Sequence, residues 1–251
     1  MEADEYLYMI IGEYRAPNIH IRDSRLTDVK QLIREWAHKN LEGIYLFGSC
    51  AKKTALKGNS DCDLFISLYS DTTESLHDIH LLLFKQFKYA GYSVRKQNVS
   101  IRAKINGLEI DLVPGRIQRG ESNNHSLYVS KEKSWVKTNI HQHLDLVERR
   151  GRQDEILATK IWRTCHKLKF PSIYIELVVM RVLKGKRKEH IEKNFNAVLE
   201  FLSSDFIYEK VVDPSNKNNV ISDLITERQK KAIQKKAEQC LYKQNWNAVI
   251  W

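Results

Sequence analysis

The stretch Leu46-Phe47-Gly48-Ser49, followed after eleven residues by Asp61-Cys62-Asp63-Leu64-Phe65-Ile66, decides how this chain is read. An apolar run ends in a small-residue turn, and a second apolar run opens with two carboxylates. Side chains along a strand alternate between faces, so residues at i and i+2 point the same way. Asp61 and Asp63 therefore project together, and like charges on one face repel unless a cation lies between them. A pair of divalent metal ions is the common remedy, and such pairs serve in-line phosphoryl or nucleotidyl transfer.

A third carboxylate is placed to join them. Val99, Ile101, Ala103 and Ile105 alternate with Ser100, Arg102 and Lys104, the pattern of a half-buried strand. Asn106-Gly107 is the dipeptide best suited to a two-residue hairpin turn. The returning strand, Leu108-Glu109-Ile110-Asp111-Leu112-Val113, is expected to end at Pro114. Asp111 stands between two large apolar residues, so it faces either solvent or a site. The neighbouring acidic strand favours a site.

The formal net charge of +10 over 251 residues favours a polyanionic partner, whether nucleoside triphosphate, RNA or DNA. Cys50, Cys62, Cys165 and Cys240 lack CxxC spacing, which argues against a zinc ribbon or a disulfide framework and for a reducing, cytoplasmic setting. The acidic start Met1-Glu2-Ala3-Asp4-Glu5 predicts no signal peptide, and no apolar run approaches membrane-spanning length.

Periodicity predicts a helix over 25–39 capped by Ser24, strands near 43–48 and 62–69, a helix over about 72–90 and a hairpin over 98–113. After about residue 150 the β-pattern stops, and helices are expected at 153–168, 171–184, 191–203 and 223–245. The segment 115–150 interleaves basic residues with Tyr128 and Trp135, which suits either a groove for bases and phosphates or a solvated loop. His141 and His143 have no third ligand at a suitable spacing for zinc. Lys186-Arg187-Lys188 and the basic residues of 228–236 are solvated faces, or an RNA-binding surface if they share one side with the basic residues of 116–137.

These motifs resemble the DNA polymerase β nucleotidyltransferase superfamily, which carries Gly-Ser, a gap of about ten residues, Asp-x-Asp and a later third Asp. The resemblance is closest to the branch of 2′-5′-oligoadenylate synthases, cyclic GMP-AMP synthase and bacterial cyclic-oligonucleotide synthases (CD-NTases). Supporting stretches are the loop Ala51–Asp61, the run Phe170-Pro171-Ser172-Ile173-Tyr174-Ile175-Glu176-Leu177, and Val212-Asp213-Pro214-Ser215-Asn216-Lys217-Asn218-Asn219. The resemblance covers about residues 40 to 245.

It implies an α/β (α+β) fold. A polymerase β-like catalytic lobe with a mixed sheet would occupy 1–150, a helical lobe 151–251, and the site the cleft between them. It also implies two Mg²⁺ (or Mn²⁺) ions on Asp61, Asp63 and Asp111, and NTP substrates, ATP foremost. The NTP would be held by Gly48, Ser49, Lys52 and Thr54, with Lys160 and Ser172 on the triphosphate. For Lys160 the residues alone equally suit a snorkelling lysine, and for Ser172 a helix N-cap.

The implied reaction is template-free synthesis of a short linear or cyclic oligonucleotide, of the kind used in antiviral defence. Nucleotide addition to an RNA 3′ end and an inactive nucleotide- or nucleic-acid-binding scaffold remain as alternatives. One position departs from the family: Lys53 stands where the loop usually has glycine. Lys53 therefore either sits at ordinary dihedrals or directs its ammonium toward phosphate.

Overall fold

The computed structural model describes residues 2–58, 61–121 and 123–251, and of Asp205 the backbone alone. Asn59 and Ser60, part of the loop quoted above, lie outside the described residues. The chain opens with α1 (Ala3–Tyr14), α2 (Thr27–Ala37), β1 (Leu41–Phe47), the single turn α3 (Gly48–Ala51), β2 (Cys62–Leu68) and α4 (Leu76–Tyr89). Next come β3 (Ser93–Lys96), β4 (Ile101–Ile105), β5 (Leu108–Ile117), β6 (His125–Val129), β7 (Ser134–Thr138) and α5 (Ile140–Glu148). The remainder is α6 (Gln153–Cys165), α7 (Ser172–Val182), α8 (Ile191–Ser203), the short strands β8 (Val212–Asp213) and β9 (Asn216–Val220), and α9 (Glu227–Leu241).

Contacts group these elements into two compact units that are not consecutive blocks of sequence. One comprises Pro17–Lys53 and Asn59–Leu144; the other comprises Met1–Ala16, Thr54–Gly58 and Asp145–Trp251. The sequence suggests a single division near residue 150. Instead α1 and the 54–58 segment join the late helices, because Leu7, Ile10, Ile11 and Leu56 are buried in one core with Trp162, Tyr174 and Phe195.

The first unit is built on a seven-stranded mixed sheet in the order β1-β2-β5-β4-β3, with β6 pairing β5 and β7 pairing β6. Strand β2 runs parallel to β5 and antiparallel to β1. One face is covered by α2 and α4, where Val29, Ile33, Leu83 and Phe87 meet Leu64, Ile66 and Leu112. Phe65 and Val113 point to the other face and form a smaller cluster with Leu127 and Ile140. Burial on both faces explains the near-continuous apolar run of β2. Helix α4 begins at Ser75, whose hydroxyl accepts from the Asp78 N–H at 3.1 Å. The start of α2 is prepared by Asp23 rather than Ser24: its carboxylate accepts from the Arg25 N–H at 3.0 Å.

Asn106 and Gly107 have φ of 50° and 76°, the left-handed pair a tight hairpin needs. Strand β5 does not end at Pro114. Antiparallel pairing with β4 stops at Leu112 and pairing with β6 starts at Arg116, so position 114 lies between the two ladders. A missing N–H there interrupts neither of them. The ambiguous 115–150 segment is a β6–β7 hairpin followed by α5.

In the second unit, Trp162, Tyr174, Phe195 and Phe206 fill the centre of the core. A small hairpin, β8–β9, interrupts the expected run of helices. Asp213 shapes its turn: Oδ1 accepts from the Ser215 N–H and Oγ at 2.8 Å each, and Oδ2 accepts from Asn219 Nδ2 at 3.1 Å. The Asp-Pro-x-x-x-x-Asn segment thus does conformational work here. Among the described residues, no helix is long and apolar enough to cross a membrane.

Candidate active site

Strand register brings the acidic residues together. Phe47 pairs with Asp63, Asp63 with Asp111, Asp111 with Arg102, and Arg102 with Arg95. Residues directly opposite one another across a sheet project to the same face, so one row carries two carboxylates and then two guanidinium groups. Asp61, just before β2, reaches the same Arg102.

The guanidinium of Arg102 grips Asp111 in a fork, Nε to Oδ1 and Nη2 to Oδ2 at 2.9 Å each. Nη2 also donates to Asp61 Oδ2, and Nη1 lies 3.5 Å from Glu109 Oε2. Sequence reasoning placed Arg102 among the polar residues of a half-buried strand and missed this role. The signal was available: a two-residue turn at 106–107 sets 105 opposite 108 and therefore 102 opposite 111.

The Gly-Ser turn packs on this cluster. Gly48 has φ +65°, and a Cβ there would collide with the Asp63 carboxylate. Glycine is thus required twice, by conformation and by the acid lying against it. The Cys50 thiol donates to the Asp61 carbonyl at 3.5 Å, joining the turn after β1 to the start of β2. Lys52 is buried, 6% exposed, and its charge favours ionised Asp63. Lys53 takes φ 58°, in the left-handed region that favours glycine. That rules out ordinary dihedrals for Lys53.

Electrostatics in the cluster call for a cation. Burial, then the charges of Asp111 and Asp61, push the Asp63 carboxyl up to about 7. Burial also lifts Asp61 above the ordinary carboxylate range, against the pull of Arg102. An all-carboxylate donor set suits Mg²⁺ or Mn²⁺, and it is short of positive charge at Asp63 in particular. Among the described residues no three such ligands form a ready-made ion cage. Arg102 bonds two of the three carboxylates instead.

The remaining expected residues lie in the second unit. Lys160 is 2% exposed, and its ammonium donates to the Thr54 carbonyl at 3.1 Å, to Thr54 Oγ1 at 3.0 Å and to Glu176 Oε1 at 3.3 Å. It is neither snorkelling nor exposed. Ser172 is the first residue of α7, with Pro171 in the N-cap position, and its hydroxyl accepts from Arg163 Nη1 at 3.2 Å. The N-cap reading of Ser172 therefore does not hold. The structure gathers Asp61, Asp63, Asp111, Gly48 and Lys52 in the first unit, and Thr54, Lys160 and Glu176 in the second.

The family model described as "Nucleotidyltransferase domain" matches residues 29–184. A cyclic AMP-AMP-AMP synthase of Escherichia coli (strain MS 115-1) is 24% identical over 204 residues, covering 71% of this chain and 63% of the relative. A CCA-adding enzyme of Thermococcus gammatolerans is 27% identical over 237 residues, covering 86% of this chain and 47% of the relative. The chain thus spans less than two thirds of either relative's length. Among solved structures, E. coli MS115-1 CdnC with ATP superposes with a TM-score of 0.75 at 20% identity, covering 97% of this chain and 94% of that one.

Proposed function

The chain belongs to the nucleotidyltransferase domain family, and from that membership we propose that it transfers NMP from an NTP, ATP foremost, to the hydroxyl of another nucleotide without a template. The product in this reading is a short linear or cyclic oligonucleotide. The observation that carries it is the row Asp63–Asp111 with Asp61 beside it, backed by a glycine turn that the acid itself requires.

Asp61, Asp63 and Asp111 would hold two Mg²⁺ (or Mn²⁺) ions. At such carboxylates divalent ions neutralise triphosphate charge and lower the pKa of the attacking hydroxyl. The acceptor oxygen bonds to the α-phosphorus as the bond to the pyrophosphate oxygen breaks. Asp111 orients the acceptor hydroxyl and takes its proton. Ser49 and the turn N–H groups at 48–49 bind the β- and γ-phosphates, since N–H groups of a tight turn converge on anions. Lys52 supplies positive charge beside Asp63. Lys160 acts by fixing Thr54, because its ammonium is already engaged there.

A second reading, addition of nucleotides to an RNA 3′ end, is favoured by the likeness to the CCA-adding enzyme and by the net charge of +10. The β6–β7 hairpin adds to it, with Trp135 on β7 58% exposed and Lys131 and Lys133 exposed in the turn before it. Labelled NTPs with Mg²⁺ or Mn²⁺, with and without RNA, separate the two readings. Short labelled products and pyrophosphate from NTPs alone support oligonucleotide synthesis. Label confined to RNA and dependent on a free 3′ hydroxyl overturns it.

A further inference from the structure

Arg102 is hydrogen-bonded to two carboxylates of the acidic cluster, and the reaction scheme gives it no part. Its planar fork uses both oxygens of Asp111 and also reaches Asp61. The side chain is 25% exposed and held from several sides. With its amide oxygen turned toward the guanidinium, Gln97 shares the protons of Arg102 Nε at 2.8 Å and Nη2 at 3.3 Å with Asp111, while its nitrogen donates to Ser100 Oγ at 3.2 Å. Arg95 sits directly opposite on β3, and its charge also acts on Asp61.

We propose that Arg102 is a built-in counter-ion that competes with divalent metal for Asp61, so that metal loading requires its guanidinium to let Asp61 go while keeping Asp111. The inference rests on the metal-dependent reading above. Two observations carry it. Arg102 joins two carboxylates that would share ions in that reading, and a fixed monocation within bonding distance of them repels an incoming dication. The bonds to Asp111, Gln97 and Glu109 remain when Asp61 is released, so the side chain has a second resting place on the same strand row. Arg102 then has two effects. Without metal it neutralises the cluster and keeps the carboxylates from repelling each other. With metal it holds the Asp111 carboxylate in one orientation. It acts through the aspartates and is a positioning residue.

The test is Mn²⁺ binding by the nucleotide-free protein, read from the electron paramagnetic resonance signal of free Mn²⁺. Arg102→Gln removes the charge, and Asp61→Asn/Asp63→Asn is the control. Arg102→Gln is expected to bind Mn²⁺ at least about tenfold tighter than wild type, and the control to lose the site. A merely structural role for Arg102 would weaken Mn²⁺ binding instead. Arg102→Lys guards against misfolding: an ammonium retains the charge but cannot fork onto Asp111 and reach Asp61 together, so severalfold tighter binding is expected. Equal or weaker Mn²⁺ binding by either folded Arg102 variant overturns the proposal. Equal binding by wild type and the double aspartate control overturns the metal reading itself, and the proposal with it.

Discussion

Asp63 gives the most quantitative test of the electrostatic account. Its carboxyl is pushed up to about 7, chiefly by burial and then by Asp111 and Asp61. In the unfolded chain the same group titrates near 4. The folded state therefore keeps the proton to higher pH than the unfolded state. That contribution is fully present below about pH 4 and is lost as pH rises through about 7. A displacement of about three units corresponds to roughly 4 kcal/mol, an upper figure for one buried group in a coupled cluster. Asp63→Asn keeps the shape packed against Gly48 and removes the ionisation.

In metal-free buffer with chelator, the variant should be more stable than wild type by about 2–4 kcal/mol at pH 8. The gap should narrow by about 1.4 kcal/mol per unit as pH falls from 7 toward 4. Urea unfolding at pH 5 and pH 8 measures it. Mn²⁺ should then stabilise wild type and leave the variant unmoved. A variant no more stable than wild type at pH 8, or a gap that ignores pH, refutes the reasoning.

Lys53→Gly should stabilise the protein by about 0.5–1 kcal/mol: relief of the left-handed strain at φ 58° outweighs the entropy of a new glycine. Thermal melting should show a rise of about 1–4 °C. Lys160→Met should cost about 3–5 kcal/mol, because it strips an ammonium from the buried Thr54 and Glu176. Chemical denaturation reads that loss. Asp111→Asn should retain nucleotide binding in the presence of metal while kcat falls about 100-fold or more, since its role lies on the acceptor side. Nucleotide binding by calorimetry beside steady-state turnover separates these effects, and equal loss of both contradicts the assignment.

Much of the site was legible because it depends on short-range rules. The two-residue spacing of Asp61 and Asp63 and the Asn106-Gly107 turn are local, and together they fix the acidic row. The helices of 153–203 follow from apolar periodicity and appear within a few residues of expectation. What depends on distant partners was not legible. Helix α1 carries Leu7, Ile10 and Ile11 at helical spacing, yet its place with the late helices follows from a core assembled across the chain. The burial of Lys160 follows from Thr54, 106 residues away. Pro114 reads as a strand end because the gap between the β4 and β6 ladders is a property of the whole sheet. Arg102 lay between: the hairpin rule names its partner, but only the fold shows that Asp61 shares it.

The central claim is that the three clustered aspartates carry out metal-dependent nucleotidyl transfer. Its most direct test is turnover of α-labelled ATP with Mg²⁺ or Mn²⁺ by wild type and by Asp61→Asn/Asp63→Asn, with circular dichroism to confirm both are folded. The account predicts labelled product and pyrophosphate from wild type, none with chelator, and none from the folded double variant. Unchanged turnover in that variant would contradict it.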